Sequence, residues 1–227
     1  SNVSDPILLQ STLVSQAYEL LESGDSKEAL NHFQQALAVN AENLSALLGQ
    51  AMIFADLERH AEAFATYDKI VVNYPSHAFA WNGRGLAAFN MEDFDNALSS
   101  FKQATNEQPI NGFFYESLAW AQMCRGEFLG AATAAKIATL MYNKKGESST
   151  YPLLIAYFAY LEADDQRSAQ ASLNYALRNK LLNVWPSPVI DYLVGNSTAS
   201  ELIGYVQNIR STPVSYTHLT LPTTYHV

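Results

Sequence analysis

The chain has 227 residues, 48% hydrophobic and 15% charged, with a formal net charge of −9. That apolar content excludes a disordered chain, and the acidity argues against nucleic acid as a partner, because phosphate binding needs a basic surface. One cysteine, Cys124, excludes an internal disulfide and a cysteine-rich metal site, and no window of about 18 uncharged apolar residues is present to span a membrane.

Residues 1–9 read as an N-terminal extension or the start of a first helix. From Gln10 a ruler of 34 residues governs the chain. Ala29, Ala63, Ala97 and Ala131 keep that step, as do Phe33, Tyr67, Phe101 and Ala135, and also Ala36, Ile70, Ala104 and Ala138. Ala17, Ala51, Gly85 and Ala119 form a fourth series, 12 residues before the first. A single helix has a period of about 3.6 residues and cannot set such an interval. The interval means one helical hairpin copied in tandem. Breakers fall where each hairpin turns: Gly24-Asp25-Ser26, Glu58-Arg59-His60, Asn90–Asp93, Arg125-Gly126-Glu127 and Asp164-Asp165. Asp25 with Glu28, and Thr198 with Glu201, have helix-start spacing.

After the fourth copy the register slips by four residues, so that Ala169, Leu173 and Ala176 follow Ala131, Ala135 and Ala138 by 38. The polar stretch Asn143–Ser149 reads as a lengthened loop. Four hairpins are therefore expected over 10–143 and a divergent fifth over 144–182. A Trp-Pro linker and a helix from about Thr198 should follow over 183–212.

The repeat resembles the tetratricopeptide repeat, most closely in 78–111, where Trp81, Gly85, Phe94, Ala97, Phe101, Ala104 and Pro109 hold the family's places. The resemblance implies an all-α, right-handed α-solenoid of about five hairpins plus a C-terminal helix. The order Trp185-Pro186, Tyr192-Leu193, Gly195 resembles the segment after the repeats in bacterial repeat proteins, some of them outer-membrane lipoproteins, in which a further hairpin comes next. The stretch from Pro213, with no charge and two prolines, resembles translated sequencing-adaptor DNA, so residues 213–227 are read as a non-native tail.

Motifs for chemistry are lacking. Gly83-Arg84-Gly85 lies inside a repeat helix without a preceding strand, so close packing explains it. His32, His60 and His77 share no metal-binding spacing, and Glu92-Asp93 and Asp164-Asp165 sit in turns where carboxylates start helices. No enzyme activity, metal or cofactor is expected. The family resemblance implies a concave surface made by the first helix of each hairpin. On it would stand Tyr18, Met52, Phe79, Asn82, Leu86, Phe89, Phe113, Glu116, Trp120, Met123, Tyr151 and Phe158. Cations that clamp acidic chaperone tails in some relatives are replaced by Val14, Tyr18, Gly49, Phe79 and Gly83. The expected function is a protein-interaction scaffold that binds an apolar peptide or helix in its groove. The alternatives are the repeat region of a larger enzyme, or an assembly-factor or lipoprotein adaptor. Self-association through an exposed C-terminal end stays open, and so does the compartment: cytoplasmic, or periplasmic or membrane-anchored with a leader before Ser1.

Overall fold

The computed structural model describes residues 5–181 and 184–210. The adaptor-like tail, residues 213–227, lies outside them. Among the described residues there are twelve helices and no strand, and no helix is long and apolar enough to cross a membrane. They form two compact units, one up to residue 107 and one from 108.

The first unit holds three hairpins: α1 (Pro6–Glu22) with α2 (Ser26–Val39), α3 (Leu44–Asp56) with α4 (His60–Asn73), and α5 (Ala78–Asn90) with α6 (Phe94–Glu107). The second holds α7 (Gly112–Cys124) with α8 (Phe128–Lys144) and α9 (Thr150–Glu162) with α10 (Gln166–Asn179). The short α11 (Ser187–Leu193) and then α12 (Ala199–Arg210) follow.

Every hairpin turn closes in one way. The Gly24 N–H donates to the Leu21 carbonyl at 3.0 Å and the Asp25 N–H to the Leu20 carbonyl at 2.8 Å. The same pair of bonds recurs at Glu58/Arg59, Glu92/Asp93, Gly126/Glu127 and Asp164/Asp165. This arrangement satisfies the last carbonyls of the first helix and requires a left-handed residue just past its end. Gly24 (φ 88°), Glu58 (57°), Glu92 (60°), Gly126 (74°) and Asp164 (59°) supply it. The ruler thus has a further member, and only two of its five residues are glycine.

The next residue starts the second helix. Asp25, Asp93 and Asp165 accept from the backbone N–H of Glu28, Asn96 and Ser168 at 3.1, 3.2 and 3.0 Å. Arg59 and Glu127 make no such cap. The Thr198–Glu201 box closes in both directions: Thr198 N–H donates to Glu201 Oε1 at 3.4 Å, and Glu201 N–H to Thr198 Oγ1 at 3.2 Å.

In the first unit an aromatic ring on each of α2 and α4 meets a glycine on the next first helix. A Cβ built on Gly49 would stand 2.2 Å from the Phe33 ring, and one on Gly83 2.4 Å from the Tyr67 ring. Within the third hairpin, a Cβ on Gly85 would stand 2.5 Å from Phe101. Between these two glycines, Arg84 ties three helices together. Its Nε donates to Asp68 Oδ1 at 2.9 Å and its Nη1 to Ser100 Oγ at 2.6 Å, and its guanidinium lies 4.5 Å over the Phe64 ring.

In the second unit Ala119, Ala131, Ala135 and Ala138 are fully buried, so the hairpin of α7 and α8 closes on small residues. Of the stretch expected as a loop, residues 145–149 connect the helices, while Asn143 and Lys144 end α8. The inserted residues go mostly into helix: α8 has 17 residues where α6 has 14. Met141 and Tyr142 pack against Gly112, and nothing breaks the helix before Gly146 turns left-handed (φ 70°). The Trp-Pro linker also differs, because it contains α11. That helix has a proline in its first turn and buries Ile190 against Leu153, Leu154, Leu173 and Ala176, and Lys180 pairs with Asp191 at 3.0 Å.

Candidate functional site

The expected groove residues divide between the units, and their fates differ. In the first unit, Tyr18 is half-buried. Its ring meets Phe33 edge-on at 4.9 Å and its hydroxyl donates to the Ser45 carbonyl at 2.8 Å. Phe79 packs edge-on against Tyr67 at 6.5 Å, and Phe89 against Phe94 at 5.4 Å. Met52 is half-buried. Asn82 and Leu86 are closed to solvent, at 0% and 2% exposure. Tyr18, Phe79 and Phe89 thus make helix contacts of the unit, and Asn82 and Leu86 belong to its interior.

The second unit brings four expected residues into one place. Trp120 and Met123 on α7, with Tyr151 and Phe158 on α9, line a pocket of about 140 Å³. Positions 151 and 158 on α9, seven apart, lie on one helical face and so reach the same opening. The rings of Trp120 and Tyr151 meet edge-on at 6.5 Å, and Phe158 is 42% exposed at the rim. The Trp120 indole N–H is buried without a hydrogen-bond partner, which costs about 1–3 kcal/mol. Three further lining residues, Trp185, Pro186 and Val189, come from the segment around α11. In the sequence they fall in the Trp-Pro linker. Their signal is a tryptophan and a valine in an apolar run at a place where no repeat position requires either. Trp185 is held by stacking on Tyr205 at 6.3 Å and 14°.

Phe113 is half-buried and tilted on Phe114 at 6.4 Å. Glu116 stands apart from the pocket and is 6% exposed. The Tyr142 hydroxyl donates to its Oε2 at 2.5 Å. Burial pushes the Glu116 carboxyl up to about 7, against the pull of that hydrogen bond, which favours the carboxylate. Burial also raises the hydroxyls of Tyr142 and Tyr151, and the negative charge on Glu116 adds to both shifts. Among the described residues no group of three or more His, Cys, Asp or Glu is placed to hold a metal ion.

Residues 14–78 and 80–111 match family models of the tetratricopeptide repeat. No curated protein sequence matches the chain. Several solved structures share the fold. A MamA fragment (41 to the end) from Desulfovibrio magneticus RS-1 has a TM-score of 0.68 at 16% identity, covering 76% of this chain and 95% of that one. YrrB, described as a TPR protein with an unusual peptide-binding site, has a TM-score of 0.69 at 14% identity, covering 82% and 91%. PilF from Pseudomonas aeruginosa has a TM-score of 0.66 at 13% identity, covering 92% and 95%. The 34-residue ruler, the helical hairpins and the family match agree: residues 14–111 are tetratricopeptide repeats.

Proposed function

We propose that this protein-interaction scaffold holds a peptide segment of another protein through the pocket of Trp120, Met123, Tyr151, Phe158 and Trp185. The observation that carries the reading is an aromatic-walled opening with a partly exposed ring at its rim and no catalytic group within it. A large apolar side chain fits the walls. Such an anchor is the kind of contact that dominates peptide recognition by helical grooves. YrrB, with its peptide-binding site, is a precedent on the same fold.

Burial of one large apolar side chain contributes about 1.5–3 kcal/mol, or roughly 10- to 100-fold in affinity. A random peptide library selected on the protein supplies the ligand, and fluorescence polarisation supplies the affinity. Trp120→Ala and Phe158→Ala should each weaken the selected peptide by about tenfold or more. Unchanged affinity in both variants, with helical content intact, would remove the pocket from the account.

A further inference from the structure

The charge of the chain is distributed unevenly. Residues 5–107 carry fourteen Asp and Glu against five Lys and Arg, whereas residues 108–210 carry eight of each. Within the second unit, α8 and α10 hold four cations, Lys136, Lys144, Arg167 and Arg178, and no carboxylate. Glu162 ends α9, and Asp164 and Asp165 lie in the turn after it, where Asp165 is occupied in capping α10.

These two helices form the walls of a cleft of about 340 Å³. Its lining runs from Lys136 to Asn143 on α8 and from Ser168 to Tyr175 on α10, in both cases at i, i+3, i+4 and i+7. Each wall is therefore a single helical face about 10 Å long, or two turns. Leu153 and Tyr160 of α9 make the floor. The Trp120 pocket uses another face of α9, through Tyr151, Leu154, Ile155 and Phe158, and the two openings share no lining residue. One end of the cleft is tied by a hydrogen bond from Asn143 Nδ2 to the Tyr175 hydroxyl at 3.2 Å. The small side chains of Ser168 and Ala171 leave the α10 wall low, while Leu140 on the opposite wall is 58% exposed.

Cations stand over the aromatic rings of this cleft. Lys136 Nζ lies 5.9 Å from the centre of the Tyr160 ring and the Arg178 guanidinium 5.8 Å from that of Tyr175. Neither forms an ion pair among the described residues. In a chain of net charge −9, an apolar slot whose two helical walls carry cations and no carboxylate selects its occupant by charge. We propose that the cleft between α8 and α10 is a second docking site, and that it takes an acidic amphipathic segment of another protein. Leucine-like side chains of that segment enter between Leu140 and Tyr175, and its carboxylates meet Lys136 and Arg178. The slot accommodates about two turns of helix.

Three labelled synthetic peptides test this on the full chain. The first is a helix former with leucines at i, i+4 and i+7 among glutamates. The second replaces its glutamates by lysines, and the third replaces its leucines by serines. The first should bind, with affinity falling several-fold as salt rises from about 50 to 300 mM. Lys136→Glu and Leu140→Glu should each weaken it about tenfold. Both residues are exposed, so the variants should fold, and circular dichroism checks that they do. Trp120→Ala should leave this binding unchanged, which separates the cleft from the pocket. Equal binding of the lysine peptide or the serine peptide overturns the proposal, as does indifference to Lys136→Glu. A dimer in sedimentation that Lys136→Glu abolishes would assign the cleft to a second copy of the chain and overturn it as well.

Discussion

The hairpin turns allow a test in which two opposite substitutions are set by one backbone position. Glu92 holds φ at 60° in the third hairpin, where Gly24 and Gly126 hold 88° and 74° in the first and fourth. A residue with a Cβ in this region costs about 1–2 kcal/mol. Glycine removes that cost and gives back about 0.5–1 kcal/mol through its greater freedom in the unfolded chain. Glu92→Gly should therefore stabilise the protein by about 0.5–1 kcal/mol. The Glu92 side chain is exposed and makes no hydrogen bond that the substitution would lose. Gly126→Ala should destabilise by a similar amount. No atom lies within 4 Å of the Cβ it would add, so its whole effect comes from the backbone. Urea denaturation, read as a shift of midpoint at constant slope, measures both. In thermal melts about 1 kcal/mol corresponds to roughly 2–4 °C for a chain of this size. A lower midpoint for Glu92→Gly together with an unchanged one for Gly126→Ala would refute the account of the turn.

Gly83→Ala should cost about 1–3 kcal/mol, because its Cβ would fall 2.4 Å from the Tyr67 ring. A Tyr67→Leu background should relieve part of that cost, and a double-mutant cycle with no coupling would contradict the contact. Arg84→Met should destabilise by about 2 kcal/mol through the lost bonds to Asp68 and Ser100. Arg84→Lys should recover less than half in the same urea titration, since one ammonium cannot span both partners and stack on Phe64. Glu116 makes stability depend on pH. Its carboxyl rises from the ordinary 4.5 to about 7 on folding, so between those values the unfolded chain loses a proton that the folded chain keeps. Stability from this group is complete below pH 4.5 and is lost as pH climbs to about 7, a fall on the order of 3 kcal/mol. Glu116→Gln should flatten that slope, and wild type and variant with parallel profiles from pH 4.5 to 7 would contradict the assignment.

What could be read from the sequence follows from which contacts repeat. Ala29, Ala63 and Ala97, or Phe33, Tyr67 and Phe101, meet equivalent neighbours in successive hairpins, so one interval reports them all. The turns follow the same logic, although glutamate at 58 and 92 hides a conformation that glycine would have announced. Gly49 and Gly83 were legible as small residues, but not as seats for the rings of Phe33 and Tyr67, because the ring and its glycine lie 16 residues apart, on different hairpins. The second unit departs where the interval slips. The extra turn of α8 carries Tyr142 onto Glu116, which changes an expected groove carboxylate into a buried, hydrogen-bonded one. The same turn places Asn143 against Tyr175 and closes one end of the cleft between α8 and α10. Trp185 enters the pocket because α11 folds back with Ile190 against α9 and α10, a contact with no counterpart in the earlier hairpins. A period describes what copies have in common. In the aromatic pocket Trp120, Met123, Tyr151 and Phe158 keep repeat positions, whereas Trp185, Pro186 and Val189, and the helix extension that closes one end of the cleft, have no counterpart in the period, so the chain shows their residue types and not their meeting places.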